Sequence, residues 1–333
     1  MTIPGAPVVT MLWEPDDPAT ALSERFGFAD AATATDWVSR TVEQHWGVGV
    51  GECERIVMSF KNALVWLRTT EGLLLAKWSI AAHRFDRLSA LAELTAWLDA
   101  RGLPVSAPLP VLDGRRQVEV DGVSLSLQRH IHGELLDVTS PDQVRAAGVV
   151  LARLHDALSS YPEVERLTKL VPPAATPGAR ISDWLASDHP RAPQDVVDAL
   201  RQRLADAPAD PLPSQLVHGD FRAANVLVAG KNVTAVLDFE EACCDHRIVD
   251  LARSAVLLGT KFHDWGPIPP EVRAAFLDGY QSVCRLSTVE AAWWDTLVLW
   301  FSLAMIPDGD DPTGWADAAA AELDFRTATT QRD

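Results

Sequence analysis

Leu216-Val217-His218-Gly219-Asp220-Phe221-Arg222-Ala223-Ala224-Asn225-Val226-Leu227-Val228, followed by Val236-Leu237-Asp238-Phe239-Glu240, decides how the chain is read. Short apolar runs of strand type flank a tight polar loop. Three oxygen-bearing side chains are set along it: Asp220, Asn225 five residues later, and Asp238 thirteen after that. Residues 226–228 and 233–237, joined by Gly230-Lys231-Asn232, predict a hairpin that returns Asp238 to the neighbourhood of Asn225.

Those residue types suit phosphoryl transfer. That chemistry needs a cation on the nucleotide phosphates, oxygen ligands for magnesium, and a carboxylate to orient the accepting hydroxyl. Magnesium takes carboxylate and amide oxygens and keeps several waters. Asp220, Asn225 and Asp238 carry such atoms. A cation stands upstream. Lys77 interrupts the apolar run Leu73-Leu74-Leu75-Ala76-Lys77-Trp78, a predicted strand in a chain with five lysines. A lysine there needs a partner or a path to solvent. Glu93, in the middle of a helix predicted over 85–101, offers an ion pair; the alternative is a solvated helix glutamate.

The 333 residues suffice for one large or two ordinary domains, and 47% hydrophobic content supports a real core. A net charge of −17 argues against nucleic acid and anionic membranes as partners, and is compatible with a cationic acceptor or simply with a soluble surface. The longest apolar stretch, 296–306, is too short to span a bilayer, and the first basic residue is Arg25, so no secretory signal is expected. Cys53, Cys243, Cys244 and Cys284 show no zinc or disulfide spacing, which fits a cytoplasmic location.

The remaining pattern is two-part. Residues 1–33 read as a loose arm or a short packed element, and 35–46 as a helix. Strands are expected at 56–58, 64–68, 73–78, 116–120 and 123–129, the last two joined by Asp121-Gly122. Helices dominate beyond about residue 130. They start with one opened by Ser140-Pro141-Asp142-Gln143, which has the form of a capping box, and include one opened by Asp250. Twelve Trp against two Tyr, with Trp293, Trp294 and Trp300 in one helix, suggest either core packing or an aromatic pocket wall.

His218-Gly219-Asp220, Asn225 and Asp238-Phe239-Glu240 resemble the catalytic loop and metal motif of the aminoglycoside phosphotransferase family, which includes choline and homoserine kinases and is similar in fold to protein kinases. The resemblance spans about residues 50–305. It implies an α+β, two-lobed, protein-kinase-like fold. An N-terminal lobe (1–130, with an arm over 1–46) has an antiparallel sheet and one key helix and covers the nucleotide; a mainly helical C-terminal lobe (131–333) carries the catalytic loop and substrate site.

The resemblance also implies roles. Asp220 orients the substrate hydroxyl, and Asn225 and Asp238 hold Mg2+. Lys77 contacts the phosphates of ATP (or GTP), with Glu93 positioning it. The adenine lies on the segment Gln128, Arg129, His130 and Ile131. Asp250 and His218 brace the loop, and His155 packs. The phosphate-covering turn Ser59-Phe60-Lys61-Asn62 has no glycine, so the Ser59 and Asn62 side chains are expected to replace backbone donors. Arg222 is expected to reach the transferring group as a charge stabiliser, or else to pair with Glu240 or Glu241.

The implied activity is transfer of a γ-phosphoryl group to a small-molecule hydroxyl. The acceptor is an aminoglycoside or amino sugar, for which Glu240, Glu241, Asp308, Asp310 and Asp311 are candidate contacts; the alternative is a homoserine- or choline-type metabolite. A non-catalytic nucleotide-binding module is a further alternative. A protein kinase is disfavoured, because no Ala-Pro-Glu motif follows Asp238. The oligomeric state is left open.

Overall fold

The computed structural model describes residues 7–330, with side chains through residue 323. The chain divides into two compact units, Met1–His132 and Gly133–Asp333.

The first unit is built on a six-stranded sheet in the order β1-β2-β3-β4-β6-β5. Its strands are β1 (Val8–Met11), β2 (Val50–Met58), β3 (Asn62–Thr69), β4 (Gly72–Ser79), β5 (Val118–Val120) and β6 (Val123–Arg129). All pairings are antiparallel except β1 with β2, which run parallel from Val8 beside Arg55 to Met11 beside Met58. The arm therefore adds an edge strand to the sheet. It also forms α1 (Pro18–Glu24), capped by Asp17. Of the two readings of 1–33, the short packed element is the one found; four residues of strand are too short a window for a periodic signal to choose between them.

Period-2 alternation sorts the central strands. Ala63, Val65 and Leu67 of β3 and Leu74, Ala76 and Trp78 of β4 are buried on one face. Leu22 and Phe26 from the arm, with Val38, Val42 and Trp46 of α2 (Ala31–Trp46), complete that core. Lys77 falls on the opposite face of β4 from Trp78 and is half-buried. The helix α3 (Phe85–Asp99) buries Leu91, Leu94 and Leu98, and Glu93 sits half-buried beside them.

The second unit begins with β7 (Glu134–Leu135), α4 (Pro141–Leu158), α5 (Val164–Leu170), α6 (Pro177–Leu185) and α7 (Gln194–Ala205). It continues with β8 (Ser214–Val217), β9 (Val226–Ala229), β10 (Asn232–Val236) and β11 (Cys243–His246). The last helices are α8 (Arg247–Leu257), α9 (Pro270–Gln281), α10 (Thr288–Ala304) and α11 (Trp315–Thr330). β9 and β10 make the expected hairpin with β7 on its far edge, and β11 pairs with β8. The helices α4 and α9 meet at glycines: a Cβ on Gly148 would sit 2.1 Å from the Phe276 carbonyl oxygen.

The expected capping box at Ser140 does not form. Ser140 makes no side-chain cap, and Gln143 instead accepts from Asp137 N–H and donates to the Gly230 carbonyl, tying α4 to the hairpin. The box is found at α10, where Ser287 and Glu290 exchange hydrogen bonds. Trp293, Trp294 and Trp300 of α10 are all buried, so they pack the helical core. Among the described residues no helix is long and apolar enough to cross a membrane.

Candidate active site

The chain leaves β8 at Val217 and turns sharply at Gly219, where φ is +82°. A side chain there is excluded on two counts: the left-handed backbone, and a Cβ position 2.4 Å from the Glu241 carbonyl oxygen.

His218 is fully buried beneath the turn. Its Nδ1 accepts from the Asp220 N–H at 3.1 Å, so the proton sits on Nε2, which donates to the Leu237 carbonyl at 3.0 Å. Burial pushes the His218 pKa below 6.5, outweighing the pull of Asp250, Asp220 and Asp238. A neutral imidazole with both nitrogens engaged braces the loop and has no lone pair to offer substrate.

Asp250, in the first turn of α8, accepts from Gly219 N–H through Oδ1 and from His155 Nε2 through Oδ2, each at 2.9 Å. Burial would raise its pKa, but the His155 hydrogen bond, with Arg253 nearby, holds it below the usual carboxylate value. The phenol of Tyr280, its pKa raised by burial, donates to His155 Nδ1 at 2.8 Å. A buried relay from α9 through α4 and α8 therefore fixes the turn, and His155 is part of it.

Asp220 emerges from this frame partly exposed. Its Oδ2 accepts from Asn225 Nδ2 at 2.9 Å and from Arg222 Nε at 3.0 Å; Arg253 Nη2 lies 3.6 Å from Oδ1. Asn225 Nδ2 also donates to the Asp220 carbonyl at 2.9 Å, so the amide nitrogen is held inside the loop and the amide oxygen is its remaining polar end. Ala223 N–H and Ala224 N–H donate to the Leu258 and Thr260 carbonyls, fastening the loop to the end of α8. Leu237 N–H donates to the Asn225 carbonyl at 2.8 Å, which sets Asp238 next to Asn225. Asp238 adopts a left-handed backbone, φ 57°, that Asp tolerates better than most residues.

Arg222 departs from the expected pairing with Glu240 or Glu241. Its guanidinium pairs with Asp220 itself, not with Glu240 or Glu241, and lies 5.0 Å from the ring centroid of Trp265. Its Nη1 is buried without a hydrogen bond. Asp311, a candidate acceptor contact, instead accepts from the Gly314 and Ala316 N–H groups at the start of α11.

On the first unit, the turn from 59 to 62 is closed by its own bonds: Ser59 N–H donates to the Asn62 carbonyl at 2.8 Å, and the buried Ser59 hydroxyl points at the same oxygen at 3.4 Å. Its tip, Phe60, is exposed between Arg25 and Lys61, whose charges lie 5.5 and 5.6 Å from the ring. In the segment from 128 to 131, Gln128 Oε1 accepts from Ser106 and the His130 N–H donates to the Leu73 carbonyl.

The loop thus brings Asp220, Arg222, Asn225 and Asp238 together, while Lys77, Glu93, Ser59, Asn62 and 128–131 belong to the first unit. Arg253 and Trp265 escape a reading by motif. Arg253 had a signal: it stands three residues after Asp250 on one helix, hence on the same face.

The sequence profile of the phosphotransferase enzyme family matches residues 52–293. The homoserine kinase of Neisseria meningitidis serogroup B is 27% identical over 262 residues, covering 75% of this chain and 81% of that one. The homoserine kinase of Gluconobacter oxydans is 31% identical over 252 residues, covering 73% and 76%. A spectinomycin phosphotransferase solved with ADP and spectinomycin aligns with a TM-score of 0.58 at 14% identity, over 86% of each chain, a likeness of fold. With its kinase-like fold and the profile running through the His218–Glu240 loop, the chain belongs to the phosphotransferase enzyme family, kinases that transfer phosphate to the hydroxyl of a small molecule.

Proposed function

We propose that the chain transfers the γ-phosphoryl group of ATP to the hydroxyl of a small hydroxy amino acid of the homoserine type. The carrying observation is the setting of Asp220: a part-exposed carboxylate held by Asn225 and Arg222 and approached by Arg253. Asp220 orients the acceptor hydroxyl and takes its proton as the phosphorus–oxygen bond forms. Arg222 stabilises charge on the transferring group. Lys77, positioned by Glu93, binds the nucleotide phosphates. The 59–62 turn covers them through Ser59 and Asn62, and the backbone of Gln128, Arg129, His130 and Ile131 flanks the adenine.

Asn225 and Asp238 suit Mg2+: an amide oxygen and a carboxylate on adjoining backbone, with no larger cluster of His, Cys, Asp or Glu among the described residues able to hold a metal. Mg2+ is commonly bound by one or two carboxylates plus substrate phosphates. Bound there, it would neutralise phosphate charge.

A polycationic acceptor is the second reading, favoured by the net charge of −17 and the exposed Glu241. The arginines beside Asp220 weigh against it, and the homoserine kinases aligned over about three quarters of the chain support the first.

The test is ADP release with ATP, Mg2+ and homoserine, choline or kanamycin. Homoserine is expected to drive turnover, and Asp220→Asn to lower kcat by about 10²–10⁴-fold while ATP binding persists. Turnover with kanamycin alone would move the assignment to the second reading.

A further inference from the structure

Asp220 meets a guanidinium at each of its oxygens, and the two contacts differ in kind. Arg222 hydrogen-bonds Oδ2, is 13% exposed and lies against Trp265. Arg253 stands 3.6 Å from Oδ1, an ion-pair distance too long for a hydrogen bond, and is 35% exposed. Asn225 and Arg222 already occupy Oδ2, so Arg253 does not close a two-pronged pair with Asp220. A guanidinium has five donors in a planar fork that matches a carboxylate.

The placement of Arg253 is built into the fold. Asp250 aims at Gly219, and Arg253 is one turn further along the same face of α8. The segment after α8 accepts hydrogen bonds from Ala223 and Ala224 and then carries Trp265, 41% exposed, to the guanidinium of Arg222. The Trp265 carbonyl accepts from Trp315 Nε1 at 2.6 Å, which fixes that segment.

We infer that Arg253 is a specificity-determining residue that binds a carboxylate on the acceptor, with Trp265 walling the same side of the loop. The inference rests on Asp220 being the carboxylate that receives the acceptor hydroxyl. A carboxylate carried beside that hydroxyl would be drawn to the exposed fork. An ammonium in the same place would meet two guanidiniums, a like-charge arrangement that rejects wrong partners.

The experiment compares acceptors matched except for charge: homoserine with homoserine amide, and 4-hydroxybutyrate with 4-hydroxybutyramide, with kanamycin as a cationic control. ADP release is measured with the full chain, ATP and Mg2+, in wild type, Arg253→Gln and Arg253→Lys. Wild type is expected to favour each carboxylate over its amide by about 10- to 100-fold in kcat/KM, the range of a hydrogen-bonded charge. Arg253→Gln is expected to bring carboxylate and amide to within about 3-fold of each other, the KM for the carboxylates rising beyond any loss of kcat that both members share, and Arg253→Lys to keep part of the preference.

An equal loss of kcat for both members of each pair, with the carboxylate preference kept in Arg253→Gln, would make Arg253 a positioning residue for Asp220 and overturn the inference. So would equal use of carboxylate and amide by wild type, or turnover confined to kanamycin or absent across the panel. Use of 4-hydroxybutyrate but not homoserine, with the Arg253 dependence intact, would refute the homoserine reading and support the inference.

Discussion

His218 is a dry, neutral ring whose Nδ1 accepts from the Asp220 N–H, so protonation would break that bond and charge a buried group. Its folded pKa lies below the ordinary 6.5. In the window below about pH 6.5 the unfolded chain binds the proton first, so stability is present above that pH and is lost as pH falls through it. Asp250, also depressed, adds a loss of the same sign only below its ordinary 3.8. A melting temperature flat above about pH 7 and falling as the pH drops below about 6.5 is expected, with the fall reduced in His218→Gln. Asp250→Asn is expected to cost about 3 kcal/mol in denaturant unfolding, because the Gly219 N–H and His155 lose a charged partner. The roles of Asp220, Asn225 and Asp238 could be posed from sequence because the residues suit the chemistry and their motif resembles that of the aminoglycoside phosphotransferase family. The partner of Arg222 could not, since a two-residue separation gives no hint that the guanidinium folds back onto Asp220 rather than forward to Glu240.

Among elements, α8 and α10 are fastened by a largely buried pair. Arg247 donates to Glu290 through Nε and Nη2, and its Nη1 reaches Cys284 Sγ at 2.9 Å. Glu290 also accepts from the Ser287 N–H in the α10 cap. Glu290→Ala is expected to lose about 3–5 kcal/mol, as when one partner of a buried pair is removed. Ser287→Ala should lose only about 1 kcal/mol, the range of a cap. At the α4–α9 crossing, Gly148→Ala is expected to destabilise by about 1–3 kcal/mol, since the new methyl meets the Phe276 backbone. Thermal or denaturant melts of the three variants rank these effects. Sequence patterns located the long helices because their apolar stripes repeat over several turns. They misplaced the capping box, because Ser140–Gln143 and Ser287–Glu290 have the same local form and only tertiary partners decide which one closes.

At the scale of the molecule, the family profile begins at residue 52, yet the segment before it contributes β1, α1 and α2 to the first unit. Leu22, Phe26, Val38, Val42 and Trp46 lie against the buried face of β3 and β4, each worth roughly 1.5–3 kcal/mol in apolar burial. That sum rivals the total stability of an ordinary domain, so removal of residues 1–46 is expected to give insoluble protein, checked by soluble yield and by binding of an apolar dye.

A change of period near residue 130 was legible, because strands and helices repeat differently along the chain. The surroundings of Asp220 were not, because the residues beside it come from α8 and from the segment beyond it and converge only in the fold. The most direct measurement is the phosphorus NMR spectrum of the chain incubated with ATP, Mg2+ and homoserine. The expected result is a new phosphomonoester signal, growing as ATP becomes ADP and absent with Asp220→Asn. Unchanged ATP, or conversion to inorganic phosphate with no ester, would contradict it.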